Sequence, residues 1–176
     1  MTRSSTYDQL AELIALRDEG KIGAIGLSSV LADSLRRALP AGIACVQNAY
    51  SLLDRSHEDL LELCAAEGIA WVPFFPLGSS FPGFPKVANN PAVIDIASEM
   101  GCTPSQVGLA WLLNHSPNTL LIAGTRSLDH LEENVGAGDV VVRTADVMTR
   151  LDAVYDPAAA ALVNSRGVDA FLDDAR

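Results

Sequence analysis

Thr119-Leu120-Leu121-Ile122-Ala123-Gly124-Thr125-Arg126-Ser127, followed by Leu128-Asp129-His130-Leu131-Glu132-Glu133-Asn134, reads as a strand handed directly to a helix. An apolar run of strand length ends in glycine and hydroxyl residues, and Ser127 or Asp129 then caps a helix with apolar positions Leu128, Leu131 and Val135. The backbone N–H groups and positive dipole end at such a helix start suit phosphate. Capping alone is the commoner role for a hydroxyl-rich turn, so the surrounding chain has to decide between the two.

Upstream, the same strand-to-helix unit recurs. Leu10, Leu13, Ile14 and Leu16 mark a helix over 7–19 that Gly20 stops, and the apolar run Ile22 to Leu27 ends in Ser28-Ser29. A helix over 31–39 leads to a strand over 43–48, and a helix over 56–67, stopped by Gly68, leads to a strand over 69–74. A Pro/Gly-rich loop follows over 75–85, then a helix near 91–99 and another from Thr103 to Asn114, with Thr103 as cap and Pro104 in the first turn. A terminal helix over 144–155 precedes a tail.

Four apolar strands alternating with helices predict an α/β fold with a parallel sheet covered on both faces. The choice lies between a small doubly wound sheet and part of a (β/α) TIM-type barrel. In either, functional loops follow the carboxyl ends of the strands.

A chain of 176 residues, 49% hydrophobic and 19% charged, is one globular domain and neither a disordered segment nor a coiled coil. The net charge of −10, with no basic cluster larger than Arg36-Arg37, predicts no nucleic-acid partner. With neither a signal-peptide core nor an apolar run of membrane-spanning length, a cytoplasmic protein without membrane attachment is expected. Cys45, Cys64 and Cys102 have no paired or zinc-like spacing and read as packed, reduced thiols.

At the predicted strand ends stand Ser28-Ser29, Gln47-Asn48, Phe74-Phe75 with Leu77-Gly78-Ser79, and Gly124-Thr125-Arg126-Ser127. Amides, hydroxyls, an aromatic pair and an anion-compatible turn describe a nucleotide seat better than a reaction centre. Each also has a plain structural role open to it, as a buried amide, a core aromatic or a cap. No catalytic constellation or metal set accompanies them. His57, His115 and His130 lack ligand spacing, Ser28 lacks the second glycine of a nucleophile elbow, and Glu58 with Asp54 and Asp59 suits a helix start.

With these residues in view, the sequence resembles the aldo-keto reductase family. The resemblance is carried by Gly20 to Ser28, Val46 to Arg55, Phe75 to Gly78, Thr103 to Trp111, and Gly124-Thr125 with His130 to Asn134. It spans residues 7 to 142, with the motifs in family order. It implies a (β/α)₈ barrel that reduces aldehydes and ketones with NADPH, of which this chain holds the last four βα units. Residues 1–156 are then the cofactor-binding half and 157–176 a tail.

Carried over residue by residue, Ser28 and Gln47 match positions that hold the nicotinamide carboxamide, and Ser29 stands beside them where Asn is common. Phe74 matches the aromatic that stacks on the nicotinamide ring. Leu77, Gly78 and Ser79 match the loop over the pyrophosphate. Thr125, Arg126 and Ser127 fall around the adenosine 2′-phosphate, with Gly124 and His130 where many members carry Lys and Arg. Glu133 and Asn134 match adenine contacts. The family's catalytic Asp, Tyr, Lys and His match no position here.

The leading expectation is therefore the NADPH-binding half of a carbonyl oxidoreductase, taking a small carbonyl substrate once a missing half completes it. The other reading is a non-enzymatic nucleotide-binding or interaction module, a homodimer of half barrels, since open barrel edges invite self-association.

Overall fold

The computed structural model describes residues 6–78, 84–142, 144–158 and 160–161. Helix α1 (Thr6–Asp18) leads to strand β1 (Ile25–Ser28), α2 (Ala32–Ala38) to β2 (Ile43–Gln47), and α3 (Glu58–Ala66) to β3 (Ala70–Trp71). Helices α4 (Pro91–Met100), α5 (Pro104–His115), α6 (Leu128–Gly136) and α7 (Ala145–Asp152) follow. Gly20, Gly42 and Gly68, all in the left-handed region, turn the chain from a helical segment towards the next strand.

The sheet is parallel in the order β1-β2-β3, as the apolar strands predict. Two expectations are corrected. The fourth strand does not form: residues 119–123 lie outside every strand, and their link to the sheet is the single bridge Trp71↔Thr119. Trp71 N–H donates to the Asn118 carbonyl and Leu120 N–H to the Trp71 carbonyl, both at 2.8 Å. Val72 N–H then turns the other way, to the Val46 carbonyl at 2.8 Å. The next residue facing the 119–123 segment is Pro73, which has no N–H to give, and the ladder ends there.

The second correction concerns burial. Register partners share a face and neighbours alternate, so Leu27, Val46 and Trp71 point one way and Gly26, Cys45 and Ala70 the other. The first set is the covered side, where Val46 and Trp71 are fully buried with Leu35, Leu60, Val107 and Trp111. On the second, Gly26 is exposed and Cys45 and Ala70 only half-buried. Helices therefore cover one face, not two. Apolar composition alone cannot separate these cases, because a barrel interior is as apolar as a helix-packed face. Leu120, at 59% exposure, and Ile122, at 46%, leave further apolar side chains in the open.

Helix caps follow the sequence closely. Thr103 and Gln106 form a reciprocal capping box at α5, Asn90 caps α4, Thr144 caps α7, and Ser127, not Asp129, caps α6 by accepting His130 N–H at 3.4 Å. The apolar stripe of α6 is not a core face, however. Leu128 is 78% and Val135 73% exposed, and α6 has no buried residue.

Between the sheet and helices α3, α5 and α7 lies a polar cluster in an aromatic setting. The buried Tyr50 hydroxyl donates to Glu58 Oε2 at 2.5 Å, while His115 Nε2 meets Glu58 Oε1 at 2.6 Å. His115 stacks on Trp111 at 4.4 Å between centroids, and the Arg55 guanidinium covers the same indole at 4.3 Å. Asp152 joins them, accepting from Arg55 Nη2 and Trp111 Nε1 at 3.1 Å each. Spread from Tyr50 to Asp152 in the sequence, these side chains carry no local signal of their meeting.

The cluster sets a pH window for stability. Burial, then the hydrogen bond to Glu58 and that carboxylate's charge, raise the Tyr50 phenol well above its ordinary 10.0. Burial alone would raise the Glu58 carboxyl, but the bonds from His115 and Tyr50 and the nearby positive charge outweigh it and hold Glu58 below its ordinary 4.5. The Tyr50 contribution is thus full below pH 10 and lost above it; the Glu58 contribution is full above pH 4.5 and lost as acid protonates it. Urea midpoints measured across pH should form a plateau that falls at both ends. Tyr50→Phe should flatten the alkaline fall and Glu58→Gln the acid one; unchanged limbs in both variants would contradict this assignment.

Candidate functional site

The open face collects polar residues at its carboxyl end. Ser28 and Gln47, the last residues of β1 and β2, are register partners and so lie side by side, on the same face as Gly26 and Cys45. Ser29 follows in the left-handed region, with φ 55, and its N–H donates to the Gln47 carbonyl at 2.9 Å. Phe74 comes next across the sheet through a parallel bridge to Ala49: Phe74 N–H donates to the Asn48 carbonyl at 3.0 Å and Tyr50 N–H to the Phe74 carbonyl at 3.2 Å. Its ring is half-buried and meets Phe75 edge-on at 5.1 Å.

Alternation from Trp71 sends Val72 and Phe74 to the open side. A hydroxyl, a primary amide and an aromatic ring thus stand together on one uncovered surface. That set offers donors and acceptors for a planar carboxamide and a face for a planar ring.

The loop after Phe74 is built for close approach. Gly78 N–H closes a turn on the Phe75 carbonyl at 2.9 Å, and Val87 N–H ties the far side of the loop to the Leu77 carbonyl at 3.1 Å. Gly78 has φ 87, and a Cβ there would meet the Pro85 carbonyl oxygen at 2.2 Å. Gly108 of α5 lets the loop base sit down, since a Cβ there would meet Val87 at 2.6 Å and Leu77 at 3.1 Å. Ser79, expected over a pyrophosphate, lies outside the described residues.

The second group is the turn into α6. Thr125 Oγ1 accepts Ser127 N–H at 3.1 Å and Ser127 Oγ accepts His130 N–H at 3.4 Å, so hydroxyls already engage two of its N–H groups. Capping and anion binding therefore coexist here only through the turn's other N–H groups and the exposed Gly124, Arg126 and His130. Glu133 bonds within the fold: its carboxylate accepts from Thr103 Oγ1 and its carbonyl from Gln106 Nε2 at 3.1 Å, which fastens α6 to the start of α5. The Asn134 carbonyl accepts from Ala137 N–H and helps to close α6.

Two features lie outside this face. A cavity of about 340 Å³ bounded by Leu113, Asn114, Pro117 and Met148 opens where α5 ends, before the 119–123 segment, away from the strand ends. The Cys64 thiol is buried and pushed up to about 11, chiefly by that burial, which suits packing and not nucleophilic attack. Among the described residues no group of three His, Cys, Asp or Glu side chains could hold a metal, and no helix is long and apolar enough to cross a membrane.

The sequence profile of the Aldo/keto reductase family matches residues 3–156. Pyridoxine 4-dehydrogenase of Escherichia coli K12 is 40% identical over 146 residues, 82% of this chain and 49% of that protein. An uncharacterized oxidoreductase of Schizosaccharomyces pombe is 36% identical over 149 residues, again 82% of this chain but 46% of its own length. This chain spans about half the length of these curated relatives. Among solved structures, a thermostable aldo-keto reductase in complex with the inhibitor epalrestat superposes with a TM-score of 0.76 at 28% identity, covering 88% of this chain and 56% of the other. Aldose reductase from Giardia lamblia shares the fold, with a TM-score of 0.77 at 20% identity over 86% of this chain and 51% of its own.

The loop geometry makes a stability test. Gly78→Ala forces a Cβ against the Pro85 carbonyl in a backbone conformation that L residues rarely adopt. It should lower unfolding free energy by about 2 kcal/mol or more in a urea titration. A change under about 0.5 kcal/mol would show that the Pro85 side of the loop moves freely.

Proposed function

Because the chain belongs to the aldo/keto reductase family, we propose that it forms the NADPH-binding half of a carbonyl oxidoreductase. The observation that carries this reading is the shared open face of Ser28, Gln47 and Phe74, which the strand register assembles in the order the resemblance requires. Ser28 and Gln47 hold the carboxamide, and the Phe74 ring supports the nicotinamide by stacking; a phenyl face serves as well as a phenol. The Leu77-Gly78 turn, with Ser79 beyond it, runs over the pyrophosphate. Arg126, His130 and the turn after Gly124 receive the 2′-phosphate end, with Asn134 nearby in sequence for adenine. Once bound, the cofactor supplies a hydride.

A proton donor to the carbonyl oxygen is the missing part. The chain's only lysines are Lys21, paired with Glu19 at 2.5 Å in the turn before β1, and Lys86, exposed beyond the Gly78 loop. Tyr50 sits on the covered side of the sheet with its hydroxyl given to Glu58, so it does not serve as the acid. Catalysis is thus completed by a second half that also covers Leu120, Ile122 and the apolar stripe of α6. A cytoplasmic location accords with this chemistry. The homodimer alternative draws on the same uncovered surface, since a second copy could cover it.

The reading predicts that the isolated chain binds NADPH more tightly than NADH and quenches or shifts cofactor fluorescence, without reducing aldehydes. Phe74→Ala should weaken NADPH about tenfold. No binding at millimolar cofactor would leave only an interaction module, whereas aldehyde turnover by the chain alone would show that it carries its own acid. Sedimentation at rising concentration then separates monomer from dimer.

A further inference from the structure

We propose that Asn48 is a positioning residue for the nicotinamide end: its side-chain amide clamps the turn carrying Ser28 and Ser29 against the strand carrying Gln47. The inference rests on the cofactor reading above. Asn48 is 1% exposed, one of few polar side chains buried in the described fold. Its Oδ1 accepts Val30 N–H at 3.1 Å and its Nδ2 donates to the Val30 carbonyl at 2.8 Å. An amide that meets both backbone groups of one residue imitates a strand neighbour. It therefore extends the β1–β2 ladder past Ser28, where β1 itself ends.

The turn so held is strained. Ser29 occupies the left-handed region at φ 55, which a residue with a Cβ adopts at a cost. The Gln47 carbonyl takes Ser29 N–H, and Asn48 takes both groups of Val30, so consecutive residues of one strand grip consecutive residues of the turn. The Asn48 carbonyl also accepts Phe74 N–H at 3.0 Å. A single residue thus joins the three strand ends bearing Ser28, Gln47 and Phe74. By alternation its own side chain points away from the face that Gln47 occupies, so it acts through the others and does not touch the ligand.

The test uses the whole chain and two probes: NADP⁺, and adenosine 2′,5′-bisphosphate, which lacks the nicotinamide. Asn48→Leu keeps the branched outline, with bulkier methyl groups, and removes both bonds; Asn48→Asp keeps the acceptor but turns the donor into a repelling oxygen. Calorimetry should show NADP⁺ weakened about tenfold in either folded variant, with adenosine 2′,5′-bisphosphate changed less than about twofold. For Asn48→Asp, lowering the pH should restore NADP⁺ binding, because a protonated carboxyl donates to the Val30 carbonyl as the amide does. If Asn48→Leu does not fold, the aspartate variant alone carries the comparison. Equal weakening of both probes, or unchanged NADP⁺ binding, overturns the inference. A wild-type chain that binds neither probe overturns the cofactor reading itself, and the inference with it.

Discussion

Alternation along β3 is the constraint from which the rest follows. Once Trp71 is buried among the helices, edge-on to Tyr50 at 5.7 Å, its neighbours Ala70 and Val72 must face the other way, and Phe74 with them. Register then transmits that choice through Val46 to Leu27 on one side, and through Cys45 to Gly26 on the other. Neither Ser28 nor Gln47 is placed by its own chemistry. Both are placed by the burial of that indole, one strand away from Gln47 and two from Ser28, and a one-residue slip would turn the whole polar set towards the helices.

The covered layer repays this with more than apolar burial. Tyr50 stacks on Trp111 at 6.2 Å, both Arg55 and His115 pack on the Trp111 indole, and Glu58 and Asp152 take up the polar ends. Removing Glu58 leaves the buried Tyr50 hydroxyl without its acceptor, and removing Asp152 leaves the buried Trp111 indole N–H without one. Because Tyr50 N–H also holds the Phe74 carbonyl, the layer is joined through the sheet to the open face by the main chain.

Local features were legible in the sequence and distant ones were not. Thr103 at α5 and Ser127, one of the two candidates at α6, act within three residues of themselves, and the structure shows each as a cap. The order of helices and the parallel sheet followed from periodicity and glycine stops. The meeting of Tyr50, Glu58 and His115 did not, because nothing near His115 announces a carboxylate 57 residues earlier in the chain. The single-sided covering was hidden because Leu120 and Ile122 look like core residues whether or not anything covers them. Glu133 illustrates the same limit within the site: the family resemblance alone assigns it to adenine, while its bonds to Thr103 and Gln106 place it at the α5–α6 junction. The failed fourth strand left one local sign in the sequence, the missing N–H of Pro73.

That proline divides the molecule mechanically. Ser28, Gln47 and Phe74 stand on a hydrogen-bonded sheet braced from behind, whereas the stretch leading to Arg126 is moored by two bonds at Trp71, by Asn118 Nδ2 donating to the Ile69 carbonyl, and by the partial burial of Leu121. Compliance in this fold therefore rises from one end of the polar surface to the other. A long ligand laid across both ends would act as a strut, lending the loosely moored end the stiffness that a missing amide proton denies it.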